Sequence, residues 1–296
     1  MPDPLPISPG RRILWLHAGL LAATILTTTM AGSWVWEGTW DSRLPWTALL
    51  DPRRLAHGIP YSALLLAILG AHEMGHYLAC RSYGVPATLP FFIPGFPVIV
   101  GTLGAVIRIR GTIPSRRALF DIAAAGPIAG FVVAFPILVI GIARAIELPP
   151  DAEIHGGLGP PLISLVFEKL LHGSASLQVD SVYGAAWVGM LITSMNLFPV
   201  GQLDGGHALF AVSPRRHRFL SWLTIAATAG LIAWQVLVSG IVPAYTLWLV
   251  ILLFLRGRHP RLLDETTPLG GGRVAVAVLL GAMLALTFIP APFVLE

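Results

Sequence analysis

His72-Glu73-Met74-Gly75-His76 lies within residues 59–81, an apolar stretch long enough to cross a membrane. On a helix the two histidines stand one turn apart, at i and i+4, and project from one face. Both imidazoles can then reach a single Zn²⁺. Glu73 borders that face, where zinc acidifies a water and the neighbouring carboxylate takes its proton. This is a pattern for peptide-bond hydrolysis, set in lipid-facing sequence. Ionisable groups in a span cost about 2.5–3.5 kcal/mol each on insertion scales, so three within five residues need a use. The plainer alternative is a pair of hydrogen-bonded histidines and an ion-paired glutamate in a helix bundle.

The rest of the composition agrees with a membrane setting. Of the 296 residues 55% are apolar and 11% charged, and the mean hydropathy is +0.76. Soluble domains carry about 25% charged residues. Seven candidate spans follow, at 13–32, 59–81, 119–146, 183–199, 219–238, 241–256 and 274–293. The expected fold is therefore an all-α polytopic membrane protein of about seven transmembrane helices, one integral domain over 1–296 with C-terminal spans in 207–296. Arg11-Arg12 before an apolar run fits a signal peptide or a retained first span; the run is long for a signal, and the span is preferred. With the N-terminus in the cytoplasm, 14 of the 19 basic residues fall on the inner side. That distribution predicts N-in, C-out, with the end of the second span and His76 toward the cytoplasm. The net charge of +4 is explained by these loop arginines and does not point to nucleic acid. A single cysteine, Cys80, rules out an internal disulfide.

Two segments are not plain spans. Residues 85–115 are rich in Gly and Pro, and the β-branched residues around Gly101 and Gly104 predict a short hairpin over 98–110. Strand edges cannot face lipid, so a membrane-reentrant β-hairpin would line a protein cavity. Its free edge could pair with an extended peptide, making Gly101 and Gly104 candidate substrate contacts. An ordinary interfacial loop is the alternative. Residues 147–182 are polar, with turns at Pro149-Pro150 and Gly156-Gly157, and read as an outer loop holding a helix at 162–171.

Two histidines and a water leave one position of a tetrahedral zinc open. Asp204 is the candidate, in Asn196-Leu197-Phe198-Pro199-Val200-Gly201-Gln202-Leu203-Asp204-Gly205-Gly206. Pro199 and Gly201 break the helix there, and Gly205-Gly206 permit positive φ or close backbone approach. A helix-capping aspartate is the alternative. Cys80 shares the face of His76 but converges poorly on one ion, and is read as a packing residue. His207 is read as a solvated loop histidine, with ligand duty as the lesser alternative. Asn196 suits substrate or oxyanion binding, and a helix–helix hydrogen bond almost equally.

Together these motifs resemble the site-2 protease family of intramembrane zinc metalloproteases, peptidase M50. His72–His76 fits the family's His-Glu-x-Gly-His form, and Asn196–Gly206 its Asn-x-x-Pro-x-x-x-Leu-Asp-Gly form. Phe120–Gly130 is similar to the start of its third core span. The resemblance covers about 59–206, taken as the catalytic core; the chain is expected to be a minimal form, departing from many members in having neither PDZ nor CBS domains. The resemblance implies one Zn²⁺ per chain held by His72, His76 and Asp204, with Glu73 as general base. It further implies that the hairpin clamps a single-span membrane protein cut near the cytoplasmic side. Prokaryotic members act in regulated intramembrane proteolysis on anti-sigma factors or membrane-tethered transcription factors, so a prokaryotic cell membrane is the expected location. A metal transporter or non-catalytic scaffold explains buried ionisable residues in general but not the Glu beside the first histidine. Prenyl-protein peptidases take a Glu as third ligand, and no suitably placed intramembrane Glu is present.

Overall fold

The computed structural model describes residues 11–35, 45–98, 100–149, 157–239, 245–256, 262–264 and 266–294. The expected turn at Gly240 and Pro243, the turn residues Pro150 and Gly156, and Arg43, Arg258 and Arg261 lie outside them. Helix α1 (Arg11–Val35) leads to a short 3-10 helix (Pro45–Leu50), then α2 (Pro52–His57), capped by Asp51, and α3 (Ile59–Ser82), which carries the two histidines. Four threonine hydroxyls of α1, on Thr24, Thr27, Thr28 and Thr29, donate to carbonyls within the helix. Polar side chains are thereby satisfied within an apolar helix long enough to cross a membrane. Thr28 also meets Ser62 of α3 at 2.7 Å between hydroxyl oxygens.

A hairpin follows. Strand β1 (Phe91–Pro94) pairs antiparallel with β2 (Thr102–Val106), Phe91 opposite Val106 and Phe92 opposite Ala105, with an irregularity before Pro94. The pairing runs on through Thr88 N to Arg108 O (3.0 Å) and Arg110 N to Pro86 O (2.8 Å). The hairpin expected over 98–110 is thus only its second half, and the first strand comes from the proline-dense run before it. Proline is tolerated where its missing N–H falls on a strand edge or bulge. The hairpin rests on α1: the His17 ring stacks on Phe91 at 3.8 Å, and Gly101, at φ +77°, abuts the backbone of Thr27 and Thr28.

Strand β3 (Ile113–Ser115) runs into α4 (Arg116–Ala143), whose first turn is capped by the Ser115 hydroxyl accepting from Ala118 N. After α4 come β4 (Ile146–Glu147), β5 (Gly157–Leu158), α5 (Leu162–His172), β6 (Leu177–Gln178), α6 (Ser181–Leu197), α7 (Asp204–Val212), α8 (Pro214–Ser239), α9 (Tyr245–Leu255), β7 (Leu262–Asp264), α10 (Gly271–Thr287) and β8 (Phe293–Val294). The amphipathic α5 fills the expected outer-loop helix. Short two-stranded ties hold the ends: β3 with β7 in parallel, β4 with β6 and β5 with β8 antiparallel.

Four of the described helices are long and apolar enough to cross a membrane, within Arg12–Val35, Pro52–Ser82, Arg116–Ala143 and Pro214–Val238. The other expected spans, at 183–199, 241–256 and 274–293, correspond to α6 (17 residues), α9 (11) and α10 (17). Each is shorter than the roughly 20 residues that cross a 30 Å hydrocarbon layer untilted. The centre of the bundle is α3, α4 and α6, packed through Tyr61, Leu65, Ile68, Leu138, Trp187 and Met190. A second cluster joins α4 to α7 and α10 through Phe120, Ala123, Leu197, Ala208 and Met283.

Polar clamps close one end of the bundle. Arg273 of α10 grips Asp121 of α4 with two hydrogen bonds, at 2.8 and 2.7 Å, and the Tyr83 hydroxyl beyond α3 donates to the same carboxylate. Arg116 of α4 donates to the last carbonyls of α7, Ala211 O and Val212 O, at 2.7 and 2.9 Å. Arg144 and Asp180 pair at 2.9 Å at the opposite end of α4. Arg116 and Arg273, two of the basic residues that charge patterning grouped on one side, thus lie at the same end of the fold.

Candidate metal centre

His72 and His76 lie one turn apart on α3, both buried, as is Glu73 between them. Opposite stands Asp204, the first residue of α7. The link from α6 to α7 is tight: Val200 N donates to Phe198 O at 2.7 Å, and Leu203 N to Val200 O at 3.2 Å. Gly205 is required by close approach, since a Cβ there would sit 1.8 Å from Leu197 O. The short link therefore folds the start of α7 back onto the end of α6 and holds Asp204 against α3.

The ligand atoms form a nearly equilateral triangle. His72 Nε2 is 3.1 Å from His76 Nε2 and 3.2 Å from Asp204 Oδ2, and His76 Nε2 is 3.3 Å from Asp204 Oδ2. A tetrahedral ion with bonds of ~2.0–2.1 Å separates its ligands by about 3.3–3.4 Å, so the triangle fits one face of a zinc tetrahedron. The tautomer agrees: His76 Nδ1–H donates to Ile122 O of α4 at 2.7 Å, which leaves Nε2 as an acceptor. A second ring N–H bonded to a carbonyl is the usual means of orienting a metal-ligating histidine. The acceptor nitrogen of His76 and the Asp204 carboxylate oxygen, 3.3 Å apart, can both be satisfied by one cation held in common.

α4 supplies the back wall. Gly126 faces the His76 ring so closely that a Cβ would lie 2.1 Å from Nε2, and Gly130 faces His72. In front is a cavity of about 540 Å³, lined by His72, Glu73 and His76, by Ile107 and Ile109 beyond β2, and by Asn196 and Asp204. The Ile107 backbone amide is directed at the Glu73 carboxylate. One wall thus carries the ligands and a carboxylate, and the other is extended backbone.

The sequence model described as Peptidase family M50 matches residues 60–237. The chain belongs to peptidase family M50. This M50 chain is 31% identical over 246 residues to "Probable zinc metalloprotease EGY2, chloroplastic" of Arabidopsis thaliana, covering 81% of itself and 43% of that protein. It is 31% identical over 245 residues to "Probable zinc metalloprotease EGY1, chloroplastic" of Oryza sativa subsp. japonica, covering 78% and 40%. The chain therefore spans less than half the length of these relatives. It is also similar to the Site-2 Protease from Methanocaldococcus jannaschii, at 14% identity and a TM-score of 0.40, over 81% of this chain and 90% of that one. So loose a likeness adds nothing to the argument.

In this M50 protein, His72, His76 and Asp204 are the one group among the described residues whose ligand atoms converge. Cys80 is buried against Val85 and Ile122, away from the triangle. His207 is not a solvated loop residue as expected. Its amide donates to Leu203 O at 2.8 Å, so it belongs to the first turn of α7, and its side chain lines the cavity. Asn196 places Nδ2 3.4 Å from His72 Nε2. Gly101 packs on α1, and Gly104, at φ +98°, has open space where a Cβ would point; the hairpin meets the cavity instead through Ala105, Val106, Ile107 and Ile109. Sequence reasoning gave Ile122 and Gln202 no role and read Gly126, with Gly130, only as a small residue for close helix packing. Ile122 and Gly126 fall in Phe120–Gly130, where the sequence carried no signal for their contacts with His76. Gln202, which also lines the cavity, had none either.

Proposed function

We propose that the protein is a zinc-dependent intramembrane endopeptidase, with one Zn²⁺ held by His72, His76 and Asp204. The observation that carries this reading is the pairing of a three-ligand triangle and Glu73 with an extended strand across one cavity. Zinc supplies Lewis acidity toward a water and a peptide carbonyl. Glu73 accepts the proton of that water and passes it to the leaving amine nitrogen. The Asn196 amide lies close enough to the ligands to hold the substrate carbonyl or the developing oxyanion. A helical peptide bond is shielded by its own hydrogen bonds, so the substrate unwinds locally. The stretch from β2 to Ile109 offers it strand addition, with main-chain hydrogen bonds replacing those lost.

The substrate in this reading is a single-span membrane protein, such as an anti-sigma factor or a membrane-tethered transcription factor. α6, α9 and α10 complete a seven-span bundle as short or tilted crossings. The N-terminus and the clamped end that bears Asp204 face the cytoplasm, following the loop arginines.

The test is cleavage of a model single-span substrate by purified protein, comparing wild type with Glu73→Gln at matched zinc content. Product from wild type alone, abolished by a zinc chelator, is expected. Equal product from both removes Glu73 from the chemistry.

A further inference from the structure

The structure has a second cavity, of about 400 Å³, at the end of the bundle clamped by Arg116 and Arg273. It lies between the start of α8 and the end of α9, and is lined by Phe210, His217, Arg218, Ser221, Trp222 and Arg256. We propose that this cavity is a binding site for the phosphodiester headgroup of an anionic membrane lipid.

Three observations carry this. The first is charge. From Gly205 to Leu263 the chain contains no Asp or Glu, yet it holds Arg215, Arg216, Arg218, Arg256, Arg258 and Arg261. Arg218 and Arg256 are exposed, and neither pairs with a carboxylate among the described residues. Two guanidinium forks beside one cavity match a phosphodiester better than a point cation would.

The second is geometry. The Arg256 guanidinium lies over the Trp222 ring at 4.8 Å from its centroid, an arrangement that orients the fork while leaving its in-plane N–H groups to an anion. The cavity is also braced. The Ser221 hydroxyl donates to Pro199 O at 2.7 Å and stands 3.2 Å from His217 Nε2. The end of α9 abuts Gly201, whose Cβ position is 2.0 Å from Leu255 O. Loop arginines alone satisfy the charge rule for topology; that rule calls for neither a cavity nor a stacked guanidinium.

The third is the surroundings. Phe219, Trp222 and Leu223 on α8 and Phe254 on α9 are exposed apolar side chains within a turn and a half of the two arginines. They provide the place for acyl chains that a soluble phosphate would not use. Tryptophan at the boundary between an apolar helix surface and a basic end is also the usual marker of a membrane interface. The lipid's phosphate therefore sits at the arginines and its chains run along the α8–α9 surface. This site is separate from the metal centre and does not depend on the proposed catalysis.

The test uses the full chain in neutral detergent, titrated with dioctanoyl-phosphatidylglycerol, dioctanoyl-phosphatidylcholine and glycerol 3-phosphate. Affinity is read from the ligand-dependent shift in melting temperature. Two variants remove the same charge: R218Q/R256Q from the cavity and R215Q/R216Q from beside it. At about 5-fold per arginine near a lipid surface, R218Q/R256Q should weaken phosphatidylglycerol binding about 30-fold. R215Q/R216Q should stay within about 3-fold of wild type. Equal losses in the two variants would mean a diffuse field and overturn the proposal. So would phosphatidylcholine binding as tightly as phosphatidylglycerol, and glycerol 3-phosphate binding as tightly would assign the site to soluble phosphates instead. Should R218Q/R256Q fail to fold, W222L removes the ring beneath Arg256 and should weaken phosphatidylglycerol about 5-fold, a cation–π contribution of ordinary size; an unchanged affinity refutes the site.

Discussion

Gly126→Ala puts a single methyl group against the metal centre from behind. The added Cβ would lie 2.1 Å from His76 Nε2, 2.4 Å from Cε1 and 2.5 Å from Cδ2. Carbon–nitrogen contacts shorter than about 3 Å do not persist, so the ring must withdraw by about 1 Å. Metal ligands tolerate about 0.2 Å. The ring cannot swing aside cheaply, because its Nδ1–H is held by Ile122 O, one turn earlier on the same helix. His76 therefore leaves the triangle or α4 moves away from α3, and either change breaks the 3.1–3.3 Å spacing. Loss of an orienting partner costs 10–100-fold in metal affinity, and displacing a ligand should cost at least about 100-fold. In a helix interior Ala is favoured over Gly by about 0.8–1.0 kcal/mol, so helix formation itself is not weakened. Gly130→Ala is the control: its Cβ would meet His72 Cβ and Nδ1 at 3.2 Å, close enough to shift the ring only by tenths of an ångström. Zinc affinity, measured by chelator competition on purified protein with matched circular dichroism, should fall at least 100-fold in G126A and less than about 10-fold in G130A. Wild-type affinity in G126A, or equal loss in both, would refute the reasoning.

Asp204→Ala removes the only anionic ligand of the triangle and should lower zinc affinity at least about 100-fold by the same chelator assay, while α3 stays folded by circular dichroism. Arg116→Gln takes a half-buried guanidinium from the last carbonyls of α7, where a cation also complements the helix dipole. It should cost about 1–2 kcal/mol, seen as a lower melting temperature, and should weaken zinc because α7 begins at Asp204. His172 lies between the Glu147 carboxylate, 3.0 Å from Nδ1, and Ile142 O, 2.8 Å from Nε2. The Glu147 hydrogen bond first, and that to Ile142 second, raise its pKa above the ordinary 6.5. The pin of α5 to α4 is then complete below about pH 6.5 and is lost as pH rises through the raised value. Melting temperature should fall over that window in wild type and lose this dependence in His172→Gln.

The convergence of His72, His76 and Asp204 was legible because the chemistry that suggests it is local. Two histidines at i and i+4 share a face on any helix, and an aspartate between a proline break and two glycines has few reasons to sit beside a span. The surroundings of the site were not, because they depend on which helix lies against which. Nothing in Phe120–Gly130 by itself says that Ile122 offers its carbonyl to His76, or that Gly126 makes room for that ring. His207 illustrates the cost of a boundary misplaced by one turn. Treated as loop it belongs to solvent; once α7 starts at Asp204, a residue three positions on faces the same cavity. The hairpin was found by its glycines and displaced by its prolines. Pro90, Pro94 and Pro97 disguised a strand whose outer edge does not need those N–H groups, and Phe91-Phe92-Ile93 packs on α1 like any half-buried strand. The span count is met in part: four described helices are long and apolar enough to cross, and the expected 183–199 corresponds to α6, which ends at Leu197, before Pro199.

That break is what brings Asp204 to the two histidines. An uninterrupted α6 would carry Asp204 more than two turns along its own axis, about 12 Å past Asn196 at 1.5 Å per residue. By stopping at Leu197 and restarting at Asp204, the chain folds the carboxylate back to within 3.4 Å of the atoms Asn196 also approaches. The exposed backbone groups of the break are then satisfied internally, by Phe198 O, Val200 O and Leu203 O accepting from Val200, Leu203 and His207 amides. Unpaired, each would cost several kcal/mol in hydrocarbon. Shortening the break by deleting Gln202 should therefore remove zinc binding while leaving α3 and α4 intact, and zinc retention by such a deletion variant would show that the link does not position Asp204.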